Sequence, residues 1–460
     1  MPAVRQLASS RLARGLGAMI AGGALGQGLV VAASPFLTRL YTPTDFGSFA
    51  VFTALVLTTS VVATLRLETA VVLPERDEDA AAIAWVALTA AAVASGVVAL
   101  AGLALAPALT RALGAPALAA LWGLIPLTML LIATFQVLSG WILREQRYGA
   151  LGLRNLAQGV GTAGVQLGLG ATGVGALGLL LGQAAGYLTA LGGLTSRRGL
   201  LRQPRPDLAA MKHVLIRYRR FPLISSWSAL LNTAGLQVPL LVISAVYGQV
   251  VVGLLGLTMR VLVAPLALLG RNVAQVFLGE VSAGTRTSGG SLERRLRSTS
   301  LALLAVGVVP TGVLVVSGPW LFGVVFGPQW VEAGEYGRLL AVGFLAQFVV
   351  SPISQTLLVL ERQGTQLLWD VGRVALTVGA PLCAARLGAD ADVAIALLSG
   401  CLVVTYSVLY VTCRRAARLE DARDVASGAA PADGAPDART APESTPAPPH
   451  PATTRRNQRR

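Results

Sequence analysis

Long apolar runs recur along most of the 460-residue chain. A helix needs about 20 mostly apolar residues to cross the hydrocarbon core of a bilayer. The sequence offers twelve such runs, at residues 14–38, 46–66, 80–106, 117–143, 150–172, 174–195, 222–246, 249–281, 299–326, 337–360, 364–387 and 392–413. Because apolar and polar residues do not alternate in them, membrane β-strands are excluded. The sequence therefore predicts an all-α polytopic membrane protein with twelve transmembrane helices.

The composition excludes soluble proteins. Apolar residues make up 54% and charged residues 13% of the chain, whose mean hydropathy is +0.65. Soluble domains have about 45–50% apolar and about 25% charged residues, and a soluble protein with so few charges would aggregate. The sequence contains no Walker-type phosphate loop, and both His213 and His450 lie outside the apolar runs. We therefore expect no ATPase, no catalytic residue, no metal site and no cofactor.

Basic residues are distributed unevenly between alternate loops. If the N-terminus is cytoplasmic and residues near the ends of a run are counted with the adjoining segment, 30 of the 37 basic residues fall in cytoplasmic segments and 4 in outside loops. The other three, Arg260, Arg271 and Arg373, lie within the apolar runs. Lys and Arg accumulate on the cytoplasmic side of membrane proteins. This bias predicts that both termini are cytoplasmic. The net charge of +15 is then a topology signal, and no nucleic-acid partner is expected.

A basic segment at residues 197–221 divides the runs into two sets of six. Each set begins with a similar corner, in which a tyrosine precedes a glycine by six residues: Tyr41 and Gly47, then Tyr247 and Gly253. Two sets in the same orientation fit a parallel repeat. The predicted units are an N-terminal six-helix bundle (1–196), a basic cytoplasmic linker helix (197–221), a C-terminal six-helix bundle (222–413) and a disordered cytoplasmic tail (414–460).

Charged residues in or beside the apolar runs are the candidate site residues, because a charge in a bilayer is costly and faces a cavity or a partner. They are Arg66, Glu68, Arg260, Arg271, Asp370 and Arg373. Arg260 lies near the middle of its run, whereas Arg66 and Arg271 lie nearer the cytoplasmic interface. Asp370 and Arg373 are three residues apart on one helix face, so a structural ion pair remains an alternative. The arginine surplus predicts an anionic cargo such as a phosphate.

Several segments together resemble the polysaccharide-transport (oligosaccharide, O-antigen-type) flippase family of the multidrug/oligosaccharidyl-lipid/polysaccharide (MOP) exporter superfamily. They are Ser34–Phe49, Ala63–Glu68, Val71–Asp79, Trp141–Tyr148, Met259–Pro265, Gly327–Tyr336 and Leu367–Arg373. The resemblance implies the MOP flippase fold, with two bundles of six helices. It also implies that the protein moves an undecaprenyl-pyrophosphate-linked oligosaccharide from the inner to the outer leaflet of the bacterial inner membrane by alternating access. The product would serve lipopolysaccharide, capsule or exopolysaccharide synthesis.

The resemblance assigns roles and partners to named positions. Arg66, Arg260 and Arg373 fall at motif positions and are candidates for pyrophosphate contact, and Arg271 is added from its depth. Asp370 and Glu68 are candidates for coupling to a cation gradient. The expected partners are the polyprenyl-pyrophosphate-linked oligosaccharide and membrane lipids, with a polysaccharide polymerase and a chain-length regulator as further candidates.

Three other functions remain as alternatives. A cation-coupled multidrug antiporter of the same superfamily would have acidic residues in the first bundle, where they are scarce. A membrane polymerase or glycosyltransferase would have a large outside loop or a placed acid or base, and the sequence shows neither. A scaffold of a polysaccharide assembly complex would not move lipid-linked sugars between leaflets.

Overall fold

The computed structural model describes residues 2–192, 199–200, 203, 205–284, 291–360 and 362–428; among these, the side chains of 2–14, 16, 263–284, 358, 363 and 424–428 lie outside the description. The helices are α1 Pro2–Ala32, α2 Ser34–Leu40, α3 Pro43–Ala63, α4 Asp77–Ala112, α5 Leu124–Arg144, α6 Tyr148–Gly170, α7 Ala176–Gly192, α8 Leu208–Arg217, α9 Ser226–Gly284, α10 Leu292–Phe326, α11 Val331–Val350, α12 Gln355–Val359, α13 Gln363–Arg386 and α14 Ala391–Gly428.

The predicted polytopic, all-helical fold is confirmed. In the described part of the chain, nine helical segments are long and apolar enough to cross a membrane. One of them, Phe221–Leu262, spans Gly248, whose φ of 87° and ψ of 179° break α9 in two. The more polar α6 and the shorter α7 occupy two further predicted spans. A helix thus lies at each of the twelve predicted positions.

The corner between α2 and α3 is fixed by local hydrogen bonds. The Thr42 hydroxyl accepts from the Asp45 backbone N–H at 3.2 Å, and the Asp45 carboxylate accepts from the Thr42 N–H at 2.9 Å. Pro43 occupies the first position of α3, where the missing N–H has no helical partner to lose. This capping box lets α3 start sharply and return through the membrane.

Contacts between the helices divide them into a first set, α1–α7, and a second set, α9–α14. α1 packs on α6, α6 on α7, and α4 on α5, whereas α10 packs on α11 and α13 and α11 pack on α14. The most extensive contact joins the sets, between α3 and the second half of α9. There Gly47 approaches the Gln249 backbone and Gly253 approaches the Pro43 backbone, so neither position has room for a side chain. The two glycines of the sequence repeat therefore face one another.

Hydrogen bonds reinforce this contact at what we call the sealed end, formed by residues 38–50, 113–116, 244–256 and 326–330. The Thr38 carbonyl accepts from the Gln329 amide at 2.9 Å and from the Trp330 indole at 3.1 Å. Likewise, the Ser244 hydroxyl donates to the Leu113 carbonyl at 2.7 Å. In each of these bonds a side chain of the second set donates to a backbone carbonyl of the first set, so the two sets are held together at this end.

The segment between the sets contains α8, where the sequence predicts a basic helix. The Asp207 carboxylate caps α8 by accepting from the Ala210 N–H at 2.7 Å. Val214 is buried against α4, while Leu208 and Ile216 are exposed beside the basic side chains. An exposed apolar stripe flanked by Lys and Arg suits the membrane–water interface. Residues 197–198, 201–202 and 204 of the predicted linker lie outside the described residues, as do residues 193–196 before it.

The prediction of a disordered tail from residue 414 is wrong for its first part, because α14 continues to Gly428. Arg414 and Arg418 each donate to the Glu293 carboxylate at 2.7 Å. Asp421 accepts from the Ser291 hydroxyl at 2.6 Å and from the Leu292 N–H at 2.7 Å at the start of α10. These partners are far away in sequence, so composition alone could not reveal them. Residues 429–460 lie outside the described residues.

The junction of α14 with α10 provides a stability test. Asp421→Ala removes the acceptor for the first N–H groups of α10, so we expect the free energy of unfolding to fall by about 1–2 kcal/mol. Glu420→Ala is the matched control, because among the described residues Glu420 forms an ion pair only with Arg423 on its own helix. Thermal unfolding in detergent should show a lower midpoint for Asp421→Ala alone. Equal midpoints would show that the junction does not stabilise the fold.

Candidate functional site

Arg260 lies between the two sets of helices, twelve residues after the break in α9. Its Nη2 atom donates to the Val30 carbonyl of α1 at 3.2 Å and to the Gln166 Oε1 of α6 at 3.0 Å. Its guanidinium carbon lies 5.8 Å from the centroid of the Phe49 ring of α3. The Nε and Nη1 atoms are buried and have no hydrogen-bond partner in the structure. Arg260 thus has unused donors and makes no ion pair with the described acidic residues.

Gln166 holds this arrangement in place and is a site residue that the sequence did not single out. It is fully buried, and its amide nitrogen donates to the Leu179 carbonyl of α7 at 3.0 Å. Its backbone carbonyl accepts from the Tyr41 hydroxyl at 2.7 Å. These bonds fix the Gln166 Oε1 atom toward Arg260. A neutral amide orients the guanidinium but leaves its charge uncompensated.

Arg373, by contrast, lies in a closed polar cluster inside the second set. It is 2% exposed, and its Nη2 atom lies 3.2 Å from the Asp370 carboxylate. The same nitrogen donates to the Asn232 side-chain oxygen at 2.9 Å, and the guanidinium carbon lies 5.0 Å from the Trp369 ring centroid. A Cβ atom on Gly235 would lie 3.0 Å from Nη2. The structure therefore pairs Arg373 with Asp370, the alternative that the spacing left open.

Breaking this pair should destabilise the protein. Asp370→Asn leaves the Arg373 charge buried without a counter-charge, and the loss of one member of a buried pair costs about 3–5 kcal/mol. We expect a large drop in the unfolding midpoint in detergent and a lower yield. The double variant Asp370→Asn/Arg373→Gln is the control, because removing both charges should restore most of the stability. A single variant as stable as the wild type would contradict a structural role for the pair.

Arg66 and Glu68 lie in a turn that follows α3. Leu65 and Arg66 adopt left-handed backbone angles, with φ of 54° and 58°. The Arg66 Nη1 atom lies 3.3 Å from the Glu68 carboxylate, which also accepts from the Thr64 hydroxyl at 2.5 Å. The Arg66 side chain is 35% exposed, whereas that of Glu68 is 9% exposed. Glu68 thus anchors the turn and Arg66 remains open to solvent.

The predicted arginines therefore occupy separate places. Arg66, Arg260 and Arg373 each have their own partners, and no hydrogen bond or ion pair among the described residues links the surroundings of two of them. Arg271 is within α9, but its side chain lies outside the described residues. Of the three described arginines, only Arg260 combines a position between the two sets with the lack of a carboxylate partner. In the described part of the chain, no group of His, Cys, Asp and Glu side chains is suited to hold a metal ion.

Arg154 is a further buried arginine; it lies near the start of the predicted run 150–172 and is one of the 30 basic residues assigned to cytoplasmic segments. Because α6 begins at Tyr148, Arg154 lies in the second turn of that helix and is 5% exposed. Its guanidinium carbon lies 3.6 Å from the centroid of the Phe135 ring, and Nη2 donates to the Ser139 hydroxyl. The signal was a polar residue at every fourth position, 154, 158, 162 and 166, which marks one inward face of α6.

Comparisons with known proteins agree with this fold. The model of the polysaccharide biosynthesis protein family matches residues 36–335. The lipid II flippase MurJ in an inward closed conformation shares 12% identity and a TM-score of 0.66, covering 85% of this chain and 87% of that one. A multidrug-resistance MATE family transporter in an inward-facing conformation shares 16% identity and a TM-score of 0.60, covering 89% and 96%.

No curated protein matches the chain significantly. Because the identities are so low, the similarity to the solved structures shows the fold alone. The match to the family model covers well over half of the sequence and shows the family. The resemblance inferred from the sequence motifs is thus confirmed. The chain belongs to the polysaccharide biosynthesis protein family and has the fold of the multi-pass membrane transporters of the MOP superfamily.

Proposed function

We propose that the protein is a flippase that moves an undecaprenyl-pyrophosphate-linked oligosaccharide from the inner to the outer leaflet of a bacterial inner membrane. The observation that carries this proposal is Arg260. It is a cation between the two sets of helices, with two buried nitrogen donors unused and no carboxylate partner among the described residues. Guanidinium groups bind phosphate oxygens through paired N–H donors. A pyrophosphate entering between the sets would supply both the missing acceptors and the missing negative charge.

The two sets of helices suggest how the cargo would move. We propose that residues 1–196 and 222–413 form two bundles that rock against each other around the contact of α3 with α9. With both termini in the cytoplasm, as the basic residues predict, the sealed end faces outward and the protein stands open toward its cytoplasmic cargo. Translocation then requires the hydrogen bonds of Thr38 and Ser244 to separate.

The roles of the other candidates follow from their surroundings. Arg66 is accessible at the cytoplasmic end of α3, so we propose that it contacts the cargo pyrophosphate at an early stage of its entry. Asp370 is paired with Arg373 inside the second set. We propose that a cation gradient acts there by competing with Arg373 for the Asp370 carboxylate. Glu68, the other candidate for cation coupling, stabilises its turn and forms an ion pair with Arg66. We propose that Glu68 affects transport by positioning Arg66.

Depletion of the protein in its host provides the test. A flippase defect should make lipid-linked oligosaccharide accumulate while surface polysaccharide disappears, because synthesis on the cytoplasmic side continues. Loss of a polymerase would instead leave single repeat units on the surface. Loss of a drug antiporter would change drug resistance and leave the polysaccharide intact. Unchanged amounts of both the lipid-linked intermediate and the surface polymer would contradict the proposal.

A further inference from the structure

A cavity of about 600 Å³ opens at the end of the first set opposite the sealed end. Its walls come from the segment between α3 and α4, the end of α5, the start of α6 and the segment before α8. The lining residues that matter here are Asp77, Trp141, Arg144, Gln146, Tyr148 and Gln203. None of them belongs to the arginine positions described above, so the cavity is a separate feature of the fold.

The wall of the cavity is built rigidly. Arg144 at the end of α5 forms an ion pair with Asp77 at 2.9 Å. The same guanidinium donates to the carbonyls of Pro74 at 2.5 Å and Glu75 at 3.1 Å, which ties the segment before α4 to α5. The Trp141 indole N–H donates to a Glu145 oxygen at 2.8 Å. A preformed wall of this kind lowers the entropy lost when a ligand binds.

Three polar groups of the wall are available to a ligand. The side-chain amides of Gln146 and Gln203 and the Tyr148 hydroxyl form no hydrogen bond within the described part of the chain. Gln146 has a φ of 54° because it closes the C-terminal end of α5 as a left-handed residue. The Gln146 N–H donates to the Leu143 carbonyl at 3.0 Å and the Arg147 N–H to the Ile142 carbonyl at 3.1 Å, which fixes the turn that carries the Gln146 side chain. The Arg147–Glu145 pair beside it is a further fixed contact of this turn.

The chemistry of these groups indicates the class of ligand. Each amide offers both a donor and an acceptor, and a phenol hydroxyl does the same, which matches the hydroxyl groups of a sugar ring. Asp77 forms an ion pair with Arg144, and the third charged residue of the lining, Glu145, forms one with Arg147, so every charge of the cavity wall already has a partner. The aromatic rings of Trp141 and Tyr148 add apolar surface of the kind that lines small-molecule sites.

We infer that this cavity docks the saccharide of the cargo, as a neutral hexose or N-acetylhexosamine ring held by Gln146, Gln203 and Tyr148. The inference rests on the proposed flippase function. It adds that the protein senses the sugar and not only the pyrophosphate. The segment 64–77 carries both Arg66 and one wall of the cavity, so a lipid that presents its pyrophosphate to Arg66 brings its first sugar to the same region.

Binding to full-length protein in nanodiscs tests the inference. The probes are undecaprenyl pyrophosphate without sugar and the same lipid carrying glucose, galactose or N-acetylglucosamine. The wild type should bind at least one sugar-bearing lipid more tightly than the bare lipid. Gln146→Gly, which also relieves the left-handed strain, and Tyr148→Phe should each weaken that lipid about three- to tenfold and leave the bare lipid unchanged. Tyr218→Phe, a hydroxyl removal at the end of α8 outside the cavity lining, is the matched control.

The outcomes separate this inference from the function on which it rests. Arg260→Ala should weaken the bare and the sugar-bearing lipids alike, and an absence of any lipid binding by the wild type would contradict the flippase proposal. Equal affinity of the wild type for bare lipid and all three sugar-bearing lipids would overturn the saccharide site alone. Cavity variants that bind the sugar-bearing lipid as tightly as the wild type does would also overturn the saccharide site. Equally tight binding of water-soluble UDP-N-acetylglucosamine would assign the cavity to a nucleotide sugar and overturn the docking of cargo.

Discussion

Replacing Arg260 with alanine is expected to abolish surface polysaccharide while the protein still accumulates normally in the membrane. Arg260 has two buried nitrogen atoms without partners, so we expect the cargo pyrophosphate to be their acceptor. A hydrogen bond to a charged group is worth about 1.5–3 kcal/mol, which corresponds to a loss of about ten- to a hundredfold for each bond removed. Stability should change little, because removing a buried charge that has no counter-charge offsets the loss of the hydrogen bonds to Gln166 and Val30.

The measurement is surface polysaccharide per unit of membrane-inserted protein. Arg260→Lys keeps the charge but loses the planar fork, so partial export is expected. Arg338→Ala is the matched control, because this arginine pairs with Glu335 at the start of α11 and is largely exposed. Undiminished export by Arg260→Ala would remove this residue from the mechanism. Equal loss in the Arg338→Ala variant would show that the assay reports a general effect of arginine removal.

Linking the two sets at the sealed end is expected to stop export completely. The Gln249 amide donates to the Ser48 hydroxyl at 2.9 Å across the contact of α3 with α9. A Ser48→Cys/Gln249→Cys variant should therefore react with a short bifunctional thiol reagent. The linked protein cannot separate the halves at this end, so we expect loss of export after treatment and normal export before it.

The control is a pair within one set. The Thr189 hydroxyl donates to the Ala157 carbonyl at 3.1 Å, so Thr189→Cys/Ala157→Cys links α7 to α6 without bridging the halves. Each single-cysteine variant checks the reagent against Cys383, Cys401 and Cys413. Export that persists in the fully linked Ser48/Gln249 pair would exclude opening at the sealed end as a step of transport.

The sequence predicted the helices well because bilayer thickness sets their length and backbone hydrogen bonding sets their type. It also predicted the related corners at Tyr41 and Tyr247. It could not predict that Gly47 and Gly253 face each other, because that contact joins residues about 200 positions apart. The same limit applies to Asp421 of α14, whose hydrogen bond with the start of α10 lies in the segment that the sequence predicted to be disordered.

The candidate site also divides into features that local sequence predicted and contacts that it did not. Depth within its apolar run and a motif position made Arg260 a candidate, and a three-residue spacing indicated the pairing of Arg373 with Asp370. Gln166 was not singled out because only charged residues of the apolar runs were taken as candidates, although the polar residues at 154, 158, 162 and 166 mark its face of α6. Arg154 was counted with the cytoplasmic basic residues because it lies close to the start of the run 150–172, and the sequence does not reveal that Phe135 and Ser139 of α5 contact its guanidinium.

Flipping in reconstituted vesicles tests the central claim most directly. Purified protein is placed in liposomes with fluorescent undecaprenyl-pyrophosphate-linked N-acetylglucosamine, with proton and sodium gradients applied in turn, and the fraction of lipid accessible to an outside quencher is followed. We expect wild-type protein to change that fraction much faster than protein-free vesicles do, and Arg260→Ala to match the protein-free rate. The account would be contradicted if wild-type protein changed that fraction no faster than protein-free vesicles do under either gradient. Equal rates for wild type and Arg260→Ala would also contradict it.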